Sequence, residues 1–93
     1  MSPGWQSPFR RPGRRYWYIQ HVVRGVGRLQ LSTGTKSEAL ARQYDRLVLD
    51  LKELGRLDAL RALKARRITL SELYANRLPA QLDGLLRRGT NGH

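Results

Sequence analysis

The apolar residues of this chain change period, from two to about three and a half, within a few residues of Thr33, and few folds accommodate that change in so short a span. Before the switch, Tyr16-Trp-Tyr-Ile-Gln-His-Val-Val23 is rich in aromatic and β-branched residues, and Arg24-Gly-Val-Gly27 supplies a glycine turn. Arg28-Leu-Gln-Leu-Ser-Thr33 then alternates, with Leu29 and Leu31 on one face and Arg28, Gln30 and Ser32 on the other. The pattern is a β-hairpin with one dry face. In its first strand we place the row Trp17, Ile19, His21 and Val23 inside, which leaves Tyr16, Tyr18, Gln20, Val22 and Arg24 outside. After the switch, Leu40, Tyr44, Leu47, Leu51 and Leu54 recur at steps of four, three, four and three, with Val48 beside them. A two-stranded ribbon is barely stable alone, so the helix carrying this stripe must cover the dry face of the hairpin.

Local signals bound the elements. Pro3, Pro8 and Pro12 with Gly4, Gly13 and several arginines make residues 1–15 a basic arm that resists helix and suits an extended segment or short edge strand, with Trp5 and Phe9 as possible anchors. Thr35 with Glu38 three residues on forms a capping-box pattern, which starts the long helix near Lys36, and Gly55 stops it. Leu57, Leu60 and Leu63 suggest a second, short helix, followed by the basic link Lys64-Ala-Arg-Arg67. Thr69-Leu-Ser-Glu72 repeats the capping-box pattern and opens a stretch through Leu73, Tyr74 and Leu78 to Pro79, whose apolar face has little in the sequence to pack against. Residues 82–86 are expected to add one turn, and residues 87–93 to form a frayed polar tail. The expected fold is α+β: a three-stranded antiparallel sheet packed against one long α-helix, followed by short C-terminal helices. The expected organisation is an arm (1–15), a sheet-plus-helix domain (16–55), a helical appendage (56–86) and a flexible tail (87–93).

Charge narrows the function. Eighteen Lys+Arg stand against seven Asp+Glu, a net charge of +11 with a pI near 11.4, so the natural partner is a polyanion. No acidic residue precedes Glu38, which concentrates the basic field at the N-terminal end. The absence of cysteine excludes disulfides, thiol catalysis and zinc fingers, and His21 and His93 are too few and too far apart for a usual metal site. No cofactor or metal is expected. No apolar run approaches the roughly 20 residues of a membrane span, and Met1 to Arg15 lack the apolar block of a secretory signal, so the chain is expected to be soluble and cytoplasmic, with no membrane partner. At 93 residues there is no room for a large catalytic fold, no Ser-His-Asp, Cys-His or metal-ligand set stands out, and the acids look solvent-facing, so no enzyme activity is expected. The Arg24-Gly-Val-Gly27 glycines are not followed by the Gly-Lys-Ser/Thr of a phosphate loop; a hairpin turn accounts for them.

The polar face of the hairpin is the candidate site. Tyr18, Gln20, Arg24, Arg28, Gln30 and Ser32 share one surface without a carboxylate. In a major groove Gln pairs with adenine, Arg with guanine, and Tyr or Ser reaches phosphates or base edges. Tyr18, Gln20, Arg28 and Gln30 are the expected base readers. Arg10, Arg11, Arg14, Arg15, Arg24 and Lys36 are expected to hold phosphates, with the helix N-terminus near Thr35 adding N–H groups. His21 and Trp17 are expected to be packing residues rather than a ligand and a base-stacking platform.

Taken in order, Tyr16-Trp-Tyr-Ile, the glycine turn, Gly27-Arg-Leu-Gln-Leu-Ser-Thr-Gly-Thr35 and Lys36-Ser-Glu-Ala-Leu40 resemble the start of many phage and genomic-island integrases, the tyrosine recombinases. The likeness spans about residues 6–78, and Ile68-Thr-Leu-Ser-Glu-Leu73 resembles the start of that family's core-binding helical domain. It implies a three-stranded antiparallel sheet on a C-terminal helix, a first strand from Gln6 to Arg11, and binding of arm-type double-stranded DNA sites through the sheet, with other recombinase subunits as further partners and a nucleoid location in a bacterial or phage setting. The family's catalytic Arg, His-x-x-Arg and nucleophilic Tyr find no match; Tyr16, Tyr18, Tyr44 and Tyr74 lie in other contexts, so strand cleavage is not expected. Two other functions fit the sequence: a protein-interaction module using Leu57 to Leu86, and a small basic RNA-binding protein.

Overall fold

A computed structural model describes residues 7–91, with side chains described through Arg87. The expectations for Trp5 and Gln6 lie outside the described residues, as does that for the last two residues of the tail. Strands β1 (Phe9–Arg10), β2 (Trp17–Val23) and β3 (Gly27–Ser32) precede helices α1 (Glu38–Leu54), α2 (Leu57–Lys64), α3 (Leu70–Ala75) and α4 (Pro79–Asn91). The fold is α+β, with an antiparallel sheet of order β1-β2-β3 and one long helix followed by shorter ones. The first strand is only two residues long, because Pro8 and Pro12 bracket it and remove two backbone donors.

The register explains the two faces. Ile19 pairs with Leu31 and His21 with Leu29, whereas Tyr18 pairs with Ser32, Gln20 with Gln30 and Val22 with Arg28. The first set forms the inner face, against which α1 packs; the second forms the outer face, whose β3 edge is bordered by the α2–α3 turn. At the hairpin turn, Gly25 and Gly27 take positive φ. The turn's carbonyls are then capped from α2, where Arg61 donates to Gly25 and the Lys64 amine to Val26 at 2.7 Å.

Helix α1 begins two residues later than the Thr35–Glu38 pattern predicts. Ser37 is its N-cap, its hydroxyl accepting from the Leu40 N–H. The reason is the sheet: the Trp17 N–H donates to the Thr35 carbonyl and the Thr33 N–H to the Trp17 carbonyl. Those bonds tie Thr33 and Thr35 to β2 on either side of a bend at Gly34, whose φ is positive, and hold the stretch out of the helix. The second pattern forms as expected, with Thr69 and Glu72 exchanging both bonds of a capping box at the start of α3.

The C-terminal third departs from expectation. Pro79 opens a helix instead of ending one, at the first position where its missing N–H costs nothing, and α4 runs to Asn91 rather than making one turn over 82–86. Nor does this region lack a packing partner. Leu60 and Leu63 of α2, Leu70 and Leu73 of α3, and Leu82 and Leu85 of α4 join Ile19, Val23 and Leu29 of the sheet and Tyr44, Val48 and Leu51 of α1 in one apolar cluster. Helix α1 is thus covered on one side by the sheet and on another by α2 and α3. Leu54, assigned to its stripe, is 74% exposed, because the turn at Gly55 reverses the chain before the last helical turn reaches the core.

Candidate nucleic-acid interface

The outer face is built from three strands. Across its top run Phe9, Tyr18 and Ser32, with the Phe9 and Tyr18 rings stacked at 5.9 Å; Gln20 and Gln30 form the middle row, Val22 and Arg28 the lower one. The Arg11 guanidinium carbon lies over Tyr18 at 5.1 Å and over Phe9 at 5.9 Å, a cation–π contact that holds its charge beside the aromatic pair. Val22 is 52% exposed, an apolar spot on an otherwise polar surface.

The remaining candidates are distributed around this face. Arg28 and Ser32 are exposed and Gln30 is half-buried. Gln20 belongs to the same face but is only 7% exposed, contrary to its expected role as a base reader. It sits on the central strand, and its backbone N–H donates to the Ser7 hydroxyl, so the arm runs alongside it. Gln20 is therefore part of the floor. Arg24 is exposed in the hairpin turn, and Arg14 and Arg15 are exposed beside Tyr16 in the arm. Arg10 pairs with Trp17 across the β1–β2 register and lies over its ring at 5.8 Å, which assigns it to the helix side of the sheet and lets it reach outward only past the edge. Lys36 is exposed in the loop before α1, its carbonyl accepting the Trp17 indole N–H. The helix N-terminus is a poorer phosphate site than expected: Ser37 caps it and the Glu38 carboxylate occupies the first turn, paired with Arg42.

Charge is sorted by side. Glu38 pairs with Arg42, Asp50 with Arg46, and both Asp58 and Asp83 with Arg56, all on the helices. The hydrogen bonds from Arg56 hold the Asp58 carboxyl below the usual carboxylate range. Among the described residues, no ion pair involves Arg10, Arg11, Arg14, Arg15, Arg24 or Arg28. The sheet and arm thus carry arginines and no acid to pair with them, whereas on the helical side Arg42, Arg46 and Arg56 are paired and Lys52, Arg61, Lys64, Arg66, Arg67 and Arg77 form no ion pair among the described residues.

No family model, curated protein or solved structure matches this chain.

A second polar cluster was not foreseen. Asp45, one of the acids expected to face solvent, is buried on α1, where one carboxylate oxygen accepts from Ser7 of the arm and lies 2.6 Å from Nε2 of His21 on β2. Burial pushes the Asp45 carboxyl up, but the hydrogen bonds from His21 and Ser7 and the charges of His21 and Arg42 outweigh it and hold the group below its ordinary value of 3.8. The Ser7 hydroxyl bonds to the carboxylate rather than to the imidazole, so His21 is not placed to activate it. The cluster ties arm, sheet and helix together. Its only sequence signal is that Tyr44 and Val48 of the α1 stripe flank Asp45, one residue off the apolar line. The described residues hold no group of three or more His, Cys, Asp or Glu that could bind a metal, and no described helix is long and apolar enough to cross a membrane.

Proposed function

We propose that the chain is a double-stranded DNA-binding module that lays the outer face of its sheet in the major groove. The observation that carries this reading is a sheet face that carries no carboxylate, flanked by arginines without ion-pair partners among the described residues. Dimensions agree, since three strands about 4.8 Å apart span roughly 10 Å and the major groove is about 12 Å wide. In this reading Arg28 and Gln30 read base edges, Tyr18 and Ser32 contact bases or phosphates, and Arg11, Arg14, Arg15, Arg24 and Lys36 hold the backbone on both flanks. The resemblance to the arm-binding segment of tyrosine recombinases supports the same mode, with recombinase subunits as further partners and a cytoplasmic, nucleoid-associated location.

Two observations weigh against the alternatives. A protein-docking module built on Leu57 to Leu86 needs an exposed apolar stripe, but Leu60, Leu63, Leu73 and Leu82 are spent in the core. Duplex RNA has a deep, narrow major groove that a sheet of this width does not enter.

The test is fluorescence anisotropy with random duplex DNA, single-stranded DNA and duplex RNA over a salt series. With about five phosphates engaged, log K on duplex DNA should fall against log[salt] with a slope near −4 to −5. Arg28→Ala/Gln30→Ala should weaken binding to a selected site more than to random duplex. A double variant that binds both as well as the parent chain rules out this face.

A further inference from the structure

Two helices of this fold end with the same closing pattern but with different residues at its left-handed position. At the end of α1 the Gly55 N–H donates to the Lys52 carbonyl and the Arg56 N–H to that of Leu51; at the end of α2 the Arg66 N–H donates to Leu63 and the Arg67 N–H to Ala62. The first uses glycine at φ 74°, the usual solution. The second uses Arg66 at φ 61°, the one non-glycine residue with positive φ among the described residues, in a conformation that a Cβ disfavours. Nothing in the packing asks for arginine there. Arg66 is exposed, and no hydrogen bond, ion pair or ring contact of its side chain occurs among the described residues, although its neighbours Arg61 and Lys64 each cap a turn carbonyl.

What Arg66 does have is a position. It lines an open cleft of about 610 Å³ between β3 and the α2–α3 turn, together with Arg11, Tyr18, Gln30 and Ser32 of the outer face. No carboxylate lines that cleft. Two arginines from opposite sides of one concavity, beside hydroxyl and amide donors, match a phosphodiester, and a strained residue with no structural partner is more readily explained by binding than by folding.

We infer that Arg66 and Arg11 clamp a backbone phosphate of the DNA duplex at the margin of the sheet, so that the α2–α3 turn forms part of the interface. This rests on the DNA-binding reading above and extends it to a residue outside the sheet and arm. The clamp gives substitution at Arg66 an unusual signature, because it should improve the fold and impair binding. Arg67 is the matched control: it carries the same charge one residue on, but lines a different hollow with Asp58 and Leu86.

The experiment compares the full chain with Arg66→Gly, Arg66→Asn and Arg67→Gln by thermal melting and by duplex-DNA anisotropy across salt. Both Arg66 variants suit the left-handed backbone, so their melting temperatures should be equal to or above that of the parent. Their affinity should fall on the order of tenfold at 0.1 M salt, with a slope shallower by about 0.9, as for one lost phosphate contact. Arg67→Gln should change affinity less than about twofold. If the Arg66 variants keep the parent's affinity and slope while Arg28→Ala/Gln30→Ala weakens binding, the clamp is wrong and the sheet reading stands. If Arg67→Gln loses as much as the Arg66 variants, the effect is bulk charge and the clamp is equally wrong. A parent chain that binds no duplex overturns both.

Discussion

Asp45 shows how much one side chain can organise. It is the one acid buried in the structure, and it gathers a hydroxyl from the arm and an imidazole from the sheet onto the long helix. Because its pKa is lower in the folded chain than in the unfolded one, its contribution is fully present well above the unfolded value of 3.8 and is lost as pH falls through that value and on through the lower folded one. Asp45→Asn should therefore lower stability near pH 7 by about 1 to 3 kcal/mol. Melting followed by circular dichroism from pH 7 to pH 3 should show a shallower acid decline in the variant, so that the two curves converge at low pH. Parallel curves would mean that the carboxylate's charge contributes nothing.

The start of α1 is a contest between a capping motif and a ladder. Thr35 and Glu38 have the spacing of a capping box, but the Thr35 carbonyl is already engaged by the Trp17 N–H, and the capping role passes to Ser37. Ser37→Ala should therefore cost about 1 kcal/mol, which for a domain of this size is about 4–8 °C in melting temperature. Thr35→Ala tests the other side of the contest. Its hydroxyl accepts only the Ser37 N–H in the loop, so the loss should be the smaller of the two.

The whole molecule unfolds as its core dictates. Since α2, α3 and α4 contribute Leu60, Leu63, Leu73 and Leu82 to the cluster that holds Ile19 and Leu29, the helical part is no independent addition to the sheet. Leu73 is fully buried on the six-residue α3, and Leu73→Ala should destabilise the chain by about 2–5 kcal/mol. Near-ultraviolet signals from the sheet aromatics and far-ultraviolet helical signal should be lost in one transition. Two separated transitions would show that the helices fold apart from the sheet.

Much of this was legible in the residues alone. Period-two alternation with a glycine turn specifies a hairpin, a stripe at steps of three and four specifies the helix over it, and Thr69 with Glu72 specifies the start of α3, because each signal acts through backbone geometry within a few residues. The uneven placement of charge along the chain was equally plain, since no acid precedes Glu38. What the sequence could not decide depends on residues far apart in the chain. Only the third dimension brings Ser7, His21 and Asp45 together, moves the helix start from Thr35 to Ser37, covers Gln20 and turns Pro79 from an end into a beginning. Only there do Arg66 and Arg11 line one cleft. Long-range packing chooses among local preferences of nearly equal energy, and that choice is made by the core as a whole.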